Sequence, residues 1–363
     1  MIPSSKRIPV TVLTGFLGAG KTTFLNHLLK DVSLKDTAVI VNEFGEVGID
    51  HLLVETAAEG IIELSDGCLC CTMRGDLLDT LAHLIDRLQT GRLKQLERVI
   101  IETTGLADPA PILQAVIGHP IMQSFFEIDG VITLVDAVNA AATLDKHEEA
   151  LRQIAFADRL LITKTDLLDN HALSKTLIDK IKKLNSTAKL YINDEKHLKP
   201  QDMIGIDDFA LEAKLSMMSS FDMLEHEEGH HHHHDVNRHD DTIRAFSLLH
   251  DGTISYRALE AFIDILRATM GAQILRMKGI VALSEDPSKP VIIHGVQTVF
   301  HPPIMLEKWP DENRQTRLVL ITDSIDEKAI RDMFDAFLSK PSIDTADRQA
   351  MMENPLAIPG LKF

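Results

Sequence analysis

Cysteine is nearly missing from this 363-residue chain: there are three, all within Cys68-Leu69-Cys70-Cys71. That excludes a disulfide framework as the basis of the fold and fits a reducing compartment. Positive charge is also in deficit, with 37 Lys and Arg against 54 Asp and Glu and a formal net charge of −17. Such a balance argues against nucleic acid or an anionic membrane as the main partner. No apolar run approaches the length of a membrane span, and Met1 to Pro9 lacks the apolar core of a signal peptide. A cytoplasmic protein is expected. Internal repeats are absent too. What remains is 45 % hydrophobic and 25 % charged, the composition of an ordinary soluble protein, at a length that allows two domains.

The first half alternates short apolar, β-branched runs with amphipathic helices. Ile8 to Thr14, Ala38 to Val41, Arg98 to Ile101, Gly130 to Val135 and Arg159 to Thr163 read as buried parallel strands, with Lys189 to Ile192 as a last one. Helices are expected from Lys21 to about Lys30 and from Gly75 to Leu88. This alternation predicts an α/β fold, a doubly wound, mostly parallel sheet over residues 1–214. Residues 215–241 carry little periodic apolar pattern and hold seven of the 17 histidines, including the run His230 to His234. They read as a linker, and the histidines either gather metal weakly or are passively solvated. A smaller α+β domain is expected over 242–340: a strand to Leu249, a helix from Tyr256 to Thr269, runs near 274–283, 291–299 and 318–322, and a helix from Asp326 to Leu338. A polar tail follows over 341–363.

Gly15-Phe16-Leu17-Gly18-Ala19-Gly20-Lys21-Thr22 matches the phosphate-loop pattern G-x-x-x-x-G-K-[ST], with a strand before it and a helix after. In such a loop, backbone N–H groups curl around phosphates and the helix N-terminus adds its dipole. Gly15, Gly18, Ala19, Gly20, Lys21, Thr22 and Thr23 are therefore candidate nucleotide contacts, with Lys21 on the β- and γ-phosphates and the Thr22 hydroxyl on Mg²⁺. Val99-Ile100-Ile101-Glu102-Thr103-Thr104-Gly105 is an apolar strand ending in an acid, with a glycine three residues on. Glu102 would face the Mg²⁺ shell and the Gly105 N–H would sense the γ-phosphate. Lys21, Thr22 and Glu102 are the candidate catalytic residues. Leu160-Leu161-Ile162 leads into Thr163-Lys164-Thr165-Asp166, where the Asp166 carboxylate can accept two hydrogen bonds from guanine and the Lys164 stem can cover the base. That pattern favours GTP over ATP.

The thiols fall between these segments, after a turn at Leu64-Ser65-Asp66-Gly67 and just ahead of a helix, where the dipole favours thiolate. Three adjacent thiolates make a soft-metal site, most commonly for zinc. A vicinal disulfide or redox-sensing role for Cys70 and Cys71 stands beside that reading. Three sulfurs also leave a tetrahedral ion one ligand short, the fourth coming from Glu, His, water or a partner.

With the phosphate loop, Asn42-Glu43-Phe44-Gly45-Glu46-Val47-Gly48-Ile49-Asp50, the Gly-Cys-Leu-Cys-Cys segment, the Glu-x-x-Gly motif and Thr-Lys-Thr-Asp in order, the chain resembles the CobW-type metallochaperone GTPases. The resemblance implies GTP hydrolysis coupled to binding and delivery of a transition metal to a client protein, most often Zn²⁺ and in some members Co²⁺. It assigns Cys68, Cys70 and Cys71 as metal ligands. Glu43 or Glu46 would complete the metal site in one nucleotide state, and Asp50 would be a direct or outer-shell Mg²⁺ partner. Pairing of two copies across the nucleotide is a further expectation. One departure is Thr163, which stands where the family's guanine motif usually begins with Asn, so base specificity is expected to be softened rather than lost. A zinc buffer, a thiol redox-sensing GTPase and cobalt delivery for cobalamin synthesis are the alternative functions.

Overall fold

The structure, a computed structural model, describes residues 7–31, 34–41, 62–64, 73–168, 173–192, 200–205 and 242–338. The first unit contains β1 (Ile8–Gly15), α1 (Lys21–Leu28), β2 (Thr37–Val41), β3 (Ile62–Leu64), α2 (Met73–Gln89), β4 (Arg98–Glu102), α3 (Ala110–Gly118) and α4 (Pro120–Phe125). It continues through β5 (Phe126–Asp136), α5 (Ala140–Lys146), α6 (Glu148–Phe156), β6 (Arg159–Thr163), α7 (Lys175–Leu184), β7 (Lys189–Ile192) and α8 (Pro200–Met203). Its strands form one seven-stranded sheet in the order β3-β2-β4-β1-β5-β6-β7, and every pairing is parallel. The expected doubly wound α/β sheet is present.

Alternation along the strands explains the layering. Val10 and Val12 of β1, Val99 and Ile101 of β4, and Val131 and Val135 of β5 pack under α2, α3 and α6. Leu13, Ile100, Ile132 and Leu134, on the opposite face, pack with Phe24, Leu25 and Leu28 of α1 and Met203 of α8. Period-two side chains thus give the sheet two buried faces and need helices on both. The helix α7 shows the complementary pattern: Leu177, Ile181 and Leu184 form one buried stripe, and the Ser174 hydroxyl caps its start by accepting from Leu177 N.

The second unit holds β8 (Ile243–His250), α9 (Tyr256–Met270), β9 (Ile274–Val281), β10 (Val291–Val296), β11 (Val299–Phe300), β12 (Ile304–Met305), β13 (Thr316–Asp323) and α10 (Glu327–Phe337). Its sheet is antiparallel, ordered β11-β10-β9-β13-β8, with β12 beside β10. One face carries α9 and α10, where Phe262 meets Phe334 edge-on at 5.2 Å between ring centres. The other face turns to the first unit: Ile243, Leu275, Val296 and Ile321 pack into the same core as Leu113, Val116 and Phe156.

Polar contacts lock that junction. Asp158, 3 % exposed, accepts from Arg276 at 2.6 Å and from Lys278, both on β9, while its other oxygen accepts from Val131 N at 2.9 Å. Beside it lies an open interdomain cavity of about 160 Å³ lined in part by Arg7, Asp158, Arg276, His294 and His301.

Four details differ from the sequence pattern. β3 occupies Ile62–Leu64, so Leu64 ends a strand rather than opening a turn. β5 begins at Phe126, four residues before the apolar run read as a strand. Residues 291–299 are not one strand but a hairpin, β10 and β11, closed at Gln297 with φ 52°. α3, an apolar helix with six buried residues, stood outside the strand pattern; it lies between the sheet and the second unit, so it has no polar face to announce it.

Candidate functional site

At the carboxyl end of β1 the chain turns through the glycine-rich loop into α1. Gly20 caps the helix at φ 90°, ψ 25°, a left-handed conformation that glycine adopts without strain. Lys21 leans back over the loop, donating to the carbonyls of Gly15 at 3.0 Å and Phe16 at 3.5 Å. Its ammonium therefore sits over the loop that would hold phosphates.

The end of β4 stands directly alongside. The Thr22 hydroxyl donates to Glu102 Oε1 at 2.8 Å, and Glu102 is only 4 % exposed. Past the ladder, Thr103 N donates to Leu13 O at 2.9 Å and the Thr103 and Thr14 hydroxyls bond at 2.8 Å, keeping the two chains side by side. Gly105 then abuts the phosphate loop: a Cβ there would stand 2.6 Å from Leu17 N. Two hard oxygens, the Thr22 hydroxyl and the Glu102 carboxylate, thus lie together at the loop's mouth, a donor set that suits Mg²⁺.

The segment from Thr163 to Asp166 approaches from β6. The Thr163 hydroxyl, buried, donates to Ala19 O at 2.9 Å and so ties this segment to the phosphate loop itself. Lys164 has φ 58° and donates to Asp136 Oδ2 at 2.8 Å. Asp136, at the end of β5, also accepts from Val138 N, Asn139 N and the Asn139 side chain. Burial pushes the Asp136 carboxyl up, but the hydrogen bonds from Lys164, Asn139 and Val138 outweigh it and hold it below its ordinary value. Asp166 is exposed at the rim.

The matches with known proteins fall on both units. The model of the CobW/HypB/UreG nucleotide-binding domain matches residues 9–191, and that of the cobalamin synthesis protein cobW C-terminal domain matches 243–338. The chain belongs to the CobW/HypB/UreG family of P-loop GTPases. It is 32 % identical over 328 residues to the zinc chaperone YjiA of Escherichia coli, covering 90 % of this chain and 98 % of that one. Identity to the zinc chaperone CobW of a Sinorhizobium species is 33 % over 359 residues, covering 90 % and 96 %. The crystal structure of Zn(II)-bound YjiA GTPase from E. coli superposes with a TM-score of 0.65 at 27 % identity, covering 92 % of this chain and 99 % of that one.

This GTPase therefore has its phosphate loop, Glu102, Gly105, Thr163 and Lys164 gathered at the carboxyl ends of the parallel strands, at the strand order's reversal around the central β1. Cys68, Cys70, Cys71, Glu43, Glu46 and Asp50 lie outside the described residues, as does the histidine tract. Among the described residues no group of three or more His, Cys, Asp and Glu side chains could hold a metal ion, and no helix is long and apolar enough to cross a membrane. Two residues of the site carry no sequence signature. Asp136 reads as an ordinary strand-end acid, and Gln153 as one polar residue on an amphipathic helix, yet Gln153 is 1 % exposed and donates to the carbonyls of Gly105 and Ala107.

Proposed function

We propose that this GTPase is a zinc metallochaperone: it holds Zn²⁺ as cargo on Cys68, Cys70 and Cys71 and couples GTP hydrolysis to transfer of the ion to a client metalloprotein. The observation that carries this reading is where the thiols fall in the chain. They lie between Leu64, the last residue of β3, and Met73, the first of α2, and β3 runs parallel to the strand that delivers the phosphate loop. The relatives YjiA and CobW, each about one-third identical over nine-tenths of the chain, are named zinc chaperones, which supports zinc as the cargo.

In this reading Lys21 neutralises the β- and γ-phosphates, and the backbone of Gly18 to Thr23 cradles them. Thr22 and Glu102 hold Mg²⁺, with Asp50 as a further partner, and the ion supplies charge neutralisation on the phosphates. Lys164 and Asp166 face the guanine. Glu43 or Glu46 supplies the exchangeable fourth zinc ligand, since thiolates alone leave a tetrahedral ion incomplete. Linkage is the physical content: nucleotide and zinc each prefer one conformation, so each changes the other's affinity.

Zn²⁺ affinity measured with a non-hydrolysable GTP analogue should differ from that with GDP by at least about fivefold, the low end of ordinary coupling between sites. The Cys68/Cys70/Cys71→Ala variant should lose tight zinc binding while keeping basal GTP hydrolysis. Equal affinities in the two nucleotide states would sink the coupling. A second reading, cobalt delivery, draws on the cobalamin-synthesis description of the matching C-terminal model. Zinc is preferred because the relative called CobW is itself named a zinc chaperone.

A further inference from the structure

Two adjacent residues of α6 grip the loop that follows β4. Gln153 Nε2 donates to the carbonyls of Gly105 and Ala107, each at 3.1 Å. Its neighbour Arg152 spreads its guanidinium over three carboxylates: Glu148 at 2.9 Å on its own helix, Asp108 at 3.4 Å on the loop, and Asp323 at 2.6 Å on the second domain. Asp108 is itself fixed at its other oxygen, which accepts from Ala110 N at 2.8 Å at the start of α3. Asp323 is the last residue of β13, paired in register with Ile243. None of these side chains is fully exposed along the bridge: Arg152 is 25 %, Asp108 30 % and Asp323 16 % exposed.

The geometry ranks the contacts. The shorter one, charge-assisted, anchors Arg152 to the second domain, and the longer one reaches the loop. A planar fork with five donors can span three carboxylates; an ammonium on a flexible stem cannot do so with one geometry. The loop so held is the one whose Gly105 presses on Leu17 of the phosphate loop. A change in the seating of the second domain therefore moves the anchor of Arg152 and, through Asp108 and the adjacent Gln153, the loop beside the phosphates.

We propose that Arg152 is a positioning residue for GTP hydrolysis: through Asp108 it sets the loop carrying Gly105, and through Asp323 it makes that setting depend on the second domain. The inference rests on the GTPase activity and on none of the metal assignments, so it stands or falls separately from zinc delivery.

The test uses the full chain with Arg152→Gln, Asp323→Asn and the double variant. GTP hydrolysis is followed as kcat and KM separately, GDP and a non-hydrolysable GTP analogue are titrated, and thermal unfolding is recorded. Each single variant should lower kcat or the affinity for the analogue by roughly five- to tenfold, with GDP affinity held within about twofold. The double variant should be no worse than the more damaged single, because both residues act through one contact. Arg152→Lys should recover part of the loss. Unchanged hydrolysis, equal losses for GDP and analogue, or fully additive losses would each overturn the proposal, since a merely structural bridge behaves in those ways. Should Arg152→Gln not fold, Asp323→Asn carries the test by the same criteria, because its side chain lies wholly in the second domain.

Discussion

Replacing Gly105 with alanine adds one methyl group at the closest approach between the β4 loop and the phosphate loop. The new Cβ would lie 2.6 Å from Leu17 N, 2.7 Å from Leu17 Cα and 2.7 Å from Leu17 Cδ2. Ordinary contact for such a carbon begins at 3.4 Å, so one chain or the other must retreat by roughly 0.8 Å. Two of the three atoms belong to backbone, which cannot rotate away as a side-chain tip can. Overpacking of this kind costs about 1–3 kcal/mol, and each kcal/mol lowers Tm by about 2–4 °C in domains of this order of size. The functional effect should be larger than the thermal one. A displacement approaching 1 Å at a reacting centre costs up to about 100-fold in rate, so kcat/KM for GTP should fall by roughly 10- to 100-fold. Leu17→Ala removes Cδ2 but leaves the two backbone atoms, and should not restore activity. Steady-state phosphate release and a thermal scan decide the matter. Activity within twofold of the parent, or rescue by Leu17→Ala, would falsify the claim that the backbone contact sets the loop.

Two further outcomes follow from the domain junction. Asp158→Asn leaves Arg276 and Lys278 facing each other without the buried carboxylate between them, and urea unfolding should show a loss of about 3–5 kcal/mol; a loss under about 1 kcal/mol would contradict the buried pairing. His301 is pushed down to about 4 by burial, with Arg7 and Arg276 adding to the effect, and His294 is lowered well below its usual value by burial, with Lys278, His301 and Arg276 contributing. Because these folded values lie below the unfolded value of 6.5, the unfolded chain binds more protons as the solution acidifies. The stability from the neutral His301 ring should be complete above about pH 6.5 and fall away toward pH 4, by up to about 3 kcal/mol. His301→Gln should flatten that slope in pH-dependent unfolding, and an unchanged slope would count against it.

The nucleotide site was legible because its chemistry needs backbone shapes that few residues provide. Glycines at 18 and 20 with Lys21 and Thr22, set between a β-branched run and a helix, point to one local structure. Glu102 and Thr163 were legible as strand ends, since β4 and β6 are buried on both faces and read as unbroken apolar runs. The role of Thr163 was less so. Its hydroxyl donates to Ala19 O within the phosphate loop, a tertiary contact that the Thr-Lys-Thr-Asp motif does not display. Other features left no mark. The turn between β10 and β11 takes its positive φ at Gln297, a position where glycine is the usual choice, so the hairpin looks like one continuous strand. Gln153 and Arg152 look like surface residues of an amphipathic helix, and only tertiary packing turns them inward.

The shared core at the junction bears on what counts as one folding unit. One family model ends at residue 191 and the other begins at 243. The packing does not follow that division. Ile243, Leu275, Val296 and Ile321 belong to the same hydrophobic core as α3 and α6, and Asp158 pairs with Arg276 and Lys278 of β9. Cutting the chain before Ile243 would therefore uncover apolar surface and strand a buried carboxylate, leaving a fragment prone to self-association rather than a smaller working GTPase. The boundary drawn along the sequence separates two sheets, whereas the core between them draws on both.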